Sequence, residues 1–251
     1  MYTLKKSLGQ HFLKDENICK KIIASLPENA VQILEVGPGG GALTKYLLQL
    51  PKIDFKAVEL DEEKVGFLLN SYPQLNGKIV TRDFLEMEKP FENEFTVVGN
   101  FPYNISTQII FKILDWKESV PCMIGMFQKE VAQRIVSKEG NKIYGILSVL
   151  VQTFYKVEYL FEVSEKCFNP PPKVKSAVIK LTPIAEKVNI KSEAKLKQLV
   201  KAAFNQRRKT LRNAVRDLFT VEVLKKEIFN KRAEQLCVQD FALLTFEMKE
   251  A

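Results

Sequence analysis

Short unbroken apolar runs alternate along this chain with segments whose apolar residues recur every three or four positions. Residues 14–26 carry Ile18, Ile22, Ile23 and Leu26 at helical spacing, with Asp15 placed as the N-cap. Residues 31–36 read as a strand that runs into Gly37-Pro38-Gly39-Gly40-Gly41, and residues 42–50 as a helix. A strand over 54–60 and a helix over 61–72 follow, the helix opening with Asp61, Glu62 and Glu63, as its dipole favours. Short strands are predicted at 78–81, 94–99 and 122–127, with a helix over 105–116 before the last of them.

Strands alternating with helices at this spacing predict a parallel sheet covered on both faces. Residues 157–163 and 174–181 read as two more strands with no helical pattern between them, joined by a loop containing Pro170-Pro171-Pro172. They are expected as an antiparallel pair at one edge of a mostly parallel, seven-stranded sheet. After Pro183 the strand pattern stops, and 192–204, 208–219, 221–229 and 238–248 read as short helices. A boundary near 183–190 gives an α/β domain over 1–185 and a small all-helical domain over 186–251. No internal repeat is visible.

With 251 residues, 46% hydrophobic and 27% charged, the chain suits one large core plus an appendage and excludes disordered or collagen-like classes. No apolar run approaches the ~18 residues of a membrane span. Met1 to Lys6 is polar and basic, with no apolar signal core behind it, so a cytosolic protein is expected. Cys19, Cys122, Cys167 and Cys237 are scattered without a C-x-x-C pair and are expected as reduced thiols. With one histidine, His11, and no surrounding pattern, neither a metal site nor a Ser-His-Asp triad is expected. The net charge is +8, and residues from 184 onward hold 15 Lys and Arg against 9 Asp and Glu. That clustering points to a polyanion partner, nucleic acid first, beside the plainer reading of a solvated basic surface.

The glycine turn narrows the chemistry. Gly37, Gly39 and Ala42 satisfy the loose fingerprint G-x-G-x-x-[GA] at a strand-to-helix turn. Glu59 closes the second strand, where an acid can bind ribose hydroxyls. Both NAD and S-adenosylmethionine (SAM) binders share this arrangement. Glu35, two residues before Gly37, would repel a pyrophosphate but tolerates the ammonium and sulfonium of SAM. Asp83 closes the third strand, placed to accept from an adenine amino group.

Asn100-Phe101-Pro102-Tyr103 follows the fourth strand and is the most specific motif in the chain. An adenine amino nitrogen is a poor nucleophile because its lone pair is delocalised into the ring. The Asn100 carboxamide oxygen and the Phe101 carbonyl can each accept one of its N–H bonds, drawing the nitrogen toward tetrahedral geometry. Pro102 fixes the backbone so that the Phe101 carbonyl points inward. Tyr103 offers a face for a flipped-out base, a stack typically worth ~1–3 kcal/mol. No strong base is required, and orientation supplies the acceleration. A Pro-turn with aromatic packing is the plainer alternative.

These residues resemble the KsgA/RsmA family of small-subunit ribosomal RNA adenine dimethyltransferases. The resemblance rests on Lys6-Ser-Leu-Gly-Gln-His-Phe-Leu13, the Glu35 to Gly39 loop, Val58 to Asp61, and Asn100 to Ser106. It continues through Gln128 to Ala132 with Arg134, Tyr144 to Ser148, Phe168 to Ser176, and Phe204 to Asn213, in order across almost the whole chain. It implies SAM as methyl donor and dimethylation at N6 of two adjacent adenosines near the 3′ end of 16S rRNA. It further implies SAM contacts at His11, Leu13, Gly37, Glu59, Asp83 and Asn100, and Phe168 as a second aromatic wall opposite Tyr103. This chain has His11 where the family usually has Asn, and Phe101 where it has Leu.

In the tail, Leu211, Val215 and Leu218 form an apolar stripe at helical spacing. Arg208, Arg212 and Arg216 form another, with Arg207 and Lys209 beside it, as a ridge for rRNA phosphates. Trp116 is read as core or rim packing. The expected partner is the small ribosomal subunit with its 16S rRNA, the expected state a monomer, and no membrane or metal is involved. An Erm-type 23S rRNA adenine methyltransferase shares the glycine loop and the Asn-x-Pro-Tyr motif. A non-catalytic RNA-binding assembly factor and an NAD oxidoreductase are the readings from other classes.

Overall fold

The computed structural model describes residues 11–250. Its strands are β1 (Phe12–Leu13), β2 (Gln32–Val36), β3 (Asp54–Glu59), β4 (Ile79–Thr81), β5 (Thr96–Asn100), β6 (Cys122–Gln128), β7 (Tyr155–Val163), β8 (Phe168–Asn169) and β9 (Ser176–Pro183). Seven of them form one sheet in the order β4-β3-β2-β5-β6-β9-β7, and β1 pairs with β8 in a separate ribbon. The five strands from β4 to β6 are mutually parallel, and β9 runs antiparallel to β6. This is the mostly parallel seven-stranded sheet that the alternation of patterns predicts. Ile33, Leu34 and Val36 of β2 and Val97 and Val98 of β5 are fully buried, as strands covered on both faces must be.

The helices are α1 (Glu16–Ala24), α2 (Thr44–Leu47), α3 (Glu62–Ser71), α4 (Ser106–Asp115), α5 (Lys129–Val136), α6 (Ile146–Gln152), α7 (Glu193–Asn205), α8 (Leu211–Ala214), α9 (Val221–Leu224) and α10 (Val238–Leu244). Asp15 caps α1, accepting from the amides of Asn17 and Ile18, and Asp61 caps α3, accepting from Glu63. Trp116 is buried at the end of α4, edge-on to Phe84 and Phe95, which makes it a packing residue. The four cysteines are free thiols.

By internal packing the chain divides into two units, one of Met1–Ala132 with Glu158–Thr182, the other of Gln133–Val157 with Pro183–Ala251. The change from strands to helices falls near residue 183. The second unit also takes in residues 133–157, because the apolar α6 packs on α7. Neither α5 nor α6 was anticipated. Their apolar runs are short, and only burial against other elements makes them helical.

The tail corrects one expectation. A continuous helix over 208–219 does not form. α7 ends at Gln206, and α8 begins only at Leu211, whose N–H donates to the Lys231 carbonyl at 2.7 Å instead of reaching back one helical turn. α8 stops at Val215 (φ −120°, ψ 18°), and a single 3₁₀ turn covers Arg216–Leu218. Burial of Leu211, Ala214, Val215 and Phe219 sets this broken path. The Arg208, Arg212, Arg216 stripe therefore does not exist as one helix face. The helices expected over 221–229 and 238–248 also close early, as α9 plus a 3₁₀ turn and as α10.

Candidate active site

β2 and β5 lie side by side in the sheet while their onward connections lead to opposite halves of it. A crevice opens at the carboxyl ends of such a strand pair, where open α/β sheets bind ligands. Here a cavity of about 170 Å³ is lined by the segments that leave β2, β3, β4 and β5, together with His11, Phe12 and Leu13. It gathers His11, Leu13, Glu35, Gly37, Gly39, Glu59, Asp83, Asn100, Phe101, Pro102 and Tyr103 from the expected site residues. Residues 6–10 of the first motif lie outside the described residues.

The glycine turn is shaped by its backbone. Gly37, Gly39 and Gly41 have φ of +67°, +56° and +81°, the left-handed region in which a side chain is strained. A Cβ on Gly39 would also meet the Phe12 ring at 3.0 Å. The turn is held to β3 by the Gly37 amide, which donates to the Val58 carbonyl at 2.9 Å. Glu59 is 7% exposed and accepts from the Gly39 amide at 3.2 Å and the Asp61 amide at 3.1 Å, one bond per carboxylate oxygen. Each oxygen keeps lone-pair capacity for a ligand hydroxyl.

Glu35 is buried, and Thr44 Oγ1 donates to its Oε2 at 2.7 Å. Burial pushes its carboxyl up to about 8; the Thr44 hydrogen bond opposes the shift and the neighbouring Glu59 charge adds to it. A cation in the cavity would be the natural partner for that carboxylate, and a pyrophosphate would not. Asp83 uses Oδ1 to accept the Leu85 amide at 2.8 Å, leaving Oδ2 for a ligand donor. Three carboxyls in a largely apolar cavity fit a cationic nucleoside such as SAM. Lys64 also lines the cavity, and its ammonium lies 5.5 Å from the centre of the Phe12 ring.

The Asn-Phe-Pro-Tyr segment is anchored from a distance. Asn100 Nδ2 donates to the His11 carbonyl at 3.0 Å, which fixes the amide so that Oδ1 stays available as an acceptor. The Phe101 N–H donates to the Met126 carbonyl at 3.3 Å, and its ring is buried edge-on to Phe127. The Tyr103 hydroxyl is hydrogen-bonded to Ser176 Oγ, and its ring lies 5.5 Å from His11 at 32°. His11 Nδ1 lies 2.9 Å from the Pro170 carbonyl and so carries the proton. Sequence reasoning missed Thr44 and Ser176. Thr44 carried no pattern of its own, and Ser176 only closed the Phe168 motif.

Phe168 is placed differently from its expected position. It is 1% exposed, paired with Leu13 across β1 and β8 and packed in the core with Val163, and it lines no part of the cavity. The ring beside Tyr103 is that of His11. In the helical unit, Arg207 is half-buried on Glu234 at 2.7 Å, Arg212 Nε donates to the Leu224 carbonyl at 3.0 Å, and Arg216 faces Asp217 at 3.6 Å. Arg208 and Lys209 are exposed. Among the described residues, no cluster of metal-ligating side chains occurs and no helix is long and apolar enough to cross a membrane.

The family model for ribosomal RNA adenine dimethylase matches residues 1–247. The ribosomal RNA small subunit methyltransferase A of Parabacteroides distasonis is 50% identical over 246 residues, covering 96% of this chain and 92% of that protein. A dimethyladenosine transferase from Plasmodium falciparum is similar at a TM-score of 0.81 and 27% identity, over 94% of this chain and 97% of that one. The 23S rRNA methyltransferase ErmE is similar at 0.67 and 24% identity, over 92% and 99%, a likeness of fold alone.

Proposed function

The chain belongs to the ribosomal RNA adenine dimethylase family, and on that premise we propose that its cavity holds SAM beside an adenine whose amino group is presented by Asn100, Phe101, Pro102 and Tyr103. The protein is a SAM-dependent rRNA adenine dimethyltransferase. Its substrate in this reading is the small ribosomal subunit, at N6 of two adjacent adenosines near the 3′ end of 16S rRNA. SAM, when bound, supplies an electrophilic methyl group on its sulfonium.

The chain's residues do the rest by orientation. Glu35 balances a positive charge from the floor of the cavity, Glu59 accepts from ribose hydroxyls, and Asp83 accepts from an adenine amino group. Leu13 closes an apolar wall, and Gly37 and Gly39 let backbone approach the ligand. Asn100 Oδ1 and the Phe101 carbonyl take one N–H each from the target amine, which directs its lone pair away from the ring. Tyr103 supports the base. Stacking on Phe168 would require the β1–β8 ribbon to move, so His11 is the nearer candidate for the second ring.

The observation that carries this reading is the Asn100 amide bound to the His11 carbonyl, which leaves one acceptor oxygen beside a cavity lined by carboxyls. Methyl transfer from labelled SAM to small subunits lacking the modification tests it, with nucleoside mass spectrometry of the RNA. Dimethyladenosine in 16S rRNA is the expected product, and label in 23S rRNA would overturn the substrate.

For RNA contact, the basic segment Arg207, Arg208, Lys209, Arg212 and Arg216 remains the candidate, with Arg208 and Lys209 foremost. Arg207 and Arg212 also serve the fold. Replacing Arg208 and Lys209 together by Ala should lower the salt slope of subunit binding by about 2 and leave SAM affinity unchanged. An unchanged slope would place the RNA surface elsewhere.

A further inference from the structure

Two Gly-x-Phe segments lie side by side in the sheet. Gly99 and Phe101 belong to β5 and its exit, Gly125 and Phe127 to β6, and Gly99 pairs in register with Gly125. Residues two apart in a strand share a face. Both rings therefore rise from the face on which both glycines leave the backbone bare. The Phe101 ring is 1% exposed and meets Phe127 edge-on, with centroids 5.1 Å apart at 70°.

Neither Gly99 nor Gly125 has a positive φ, so backbone conformation does not demand glycine at these two positions. Space does. A Cβ on Gly125 would fall 2.3 Å from Phe101 Cε2, 2.7 Å from Phe127 Cε2 and 2.9 Å from Met123 Sδ. A Cβ on Gly99 would fall 2.7 Å from Phe101 Cε1, and also 2.6 Å from the Val36 carbonyl oxygen. Gly99 thus answers to backbone as well as to the ring. The three atoms nearest a Cβ on Gly125 all belong to side chains, and the Phe101 ring is the nearest of them.

That ring belongs to the peptide whose carbonyl is to receive the target amine. Three restraints hold it: the ring in its slot, the Phe101 N–H on the Met126 carbonyl at 3.3 Å, and the proline that follows. We infer that Gly125, which does not line the cavity, is a positioning residue for methyl transfer: its bare α-carbon leaves the slot in which the Phe101 ring sets the aim of the Phe101 carbonyl. The inference rests on the reading of Asn100 and Phe101 given above.

A double-mutant cycle tests it. A methyl group at position 125 must push the buried ring outward by about 1 Å to reach ordinary contact, a misplacement of the size that costs up to about 10²-fold when it reaches the reacting centre. Gly125→Ala should therefore lower kcat about tenfold or more per folded enzyme, with the KM for SAM changed by less than about twofold. In the Phe101→Leu background, where the ring nearest the new Cβ is gone, the same substitution should cost less than about twofold. Equal losses in both backgrounds, or a Gly125→Ala enzyme at parental kcat, overturn the proposal.

If Gly125→Ala does not fold, Phe101→Ala serves. It keeps the carbonyl but removes the ring, and should lower kcat with the KM for SAM held; an unchanged kcat overturns the proposal. Asn100→Ala is run beside the cycle. If it keeps normal turnover, the reading of the base site falls. If it loses turnover while the cycle shows no coupling, only the role of Gly125 falls.

Discussion

β2 and β5 are neighbours, and each leaves the sheet into the same cavity, yet they are held there by opposite means. The exit of β2 is a local construction. Three left-handed glycines, the Glu35–Thr44 bond and the Glu59–Gly39 bond all lie between residues 35 and 59. The exit of β5 is anchored by remote chain: His11 holds Asn100, Met126 holds Phe101, and Ser176 holds Tyr103. In the proposed reading the difference follows from what each exit has to do. A cofactor turn needs backbone amides and shape, which glycines in sequence supply. A base-presenting segment needs its Asn100 and Tyr103 side chains fixed from the outside, because backbone alone, which can aim the Phe101 carbonyl, cannot set where a side-chain amide or ring points.

Substitutions at the two exits should separate by kinetic parameter as well as size. The largest effect belongs to Asn100→Ala, which removes an acceptor from the reacting amine. It should cost about 10²–10³-fold in kcat, as loss of one preorganised polar contact does elsewhere, with subunit binding little changed. Single-turnover transfer from labelled SAM measures it.

Glu59→Gln should act on the other exit and the other parameter. Its new NH₂ would face the amide of Gly39 or of Asp61, where each carboxylate oxygen now accepts. The KM for SAM should rise about 10–100-fold, more than kcat falls. If kcat alone fell, the division between the two exits would be wrong.

Ser176→Ala should lower kcat by about 3–10-fold at unchanged KM for SAM, since it frees only the Tyr103 hydroxyl. A rise in the KM for SAM instead would tie Tyr103 to the cofactor.

A different kind of effect is one of pH, read on stability and SAM binding instead of on turnover. The Glu35 carboxyl titrates near 4.5 when unfolded and is pushed up to about 8 by burial. The native state therefore holds a proton that the unfolded chain has lost. The stability this confers is complete at low pH, declines as pH rises above about 4.5, and is gone above about 8. Without SAM, Glu35→Gln should melt at a temperature that falls less with pH over that window. The parent should bind SAM more tightly as pH rises toward 8, since the carboxylate is the form that balances a cation, and the variant should lack that trend. Calorimetry across the window reads both.

The sequence by itself determined the parallel sheet, the glycine turn with Glu35, Glu59 and Asp83, and the Asn-Phe-Pro-Tyr segment. Each is written in near neighbours: apolar runs of strand length, acids at strand ends, glycine where φ must be positive. It also carries the proposed chemistry, because amide, carbonyl and ring follow one another in the chain. Only the tertiary structure decided that Phe168 turns into the core while His11 lies beside Tyr103, for a two-residue ribbon carries no pattern to set which face is covered. It likewise decided that the basic tail breaks at Gln206 and again at Val215. The helical spacing of those arginines was real in the sequence, but a short helix is marginal on its own, and burial of Leu211, Val215 and Phe219 with the Leu211–Lys231 bond outweighed it.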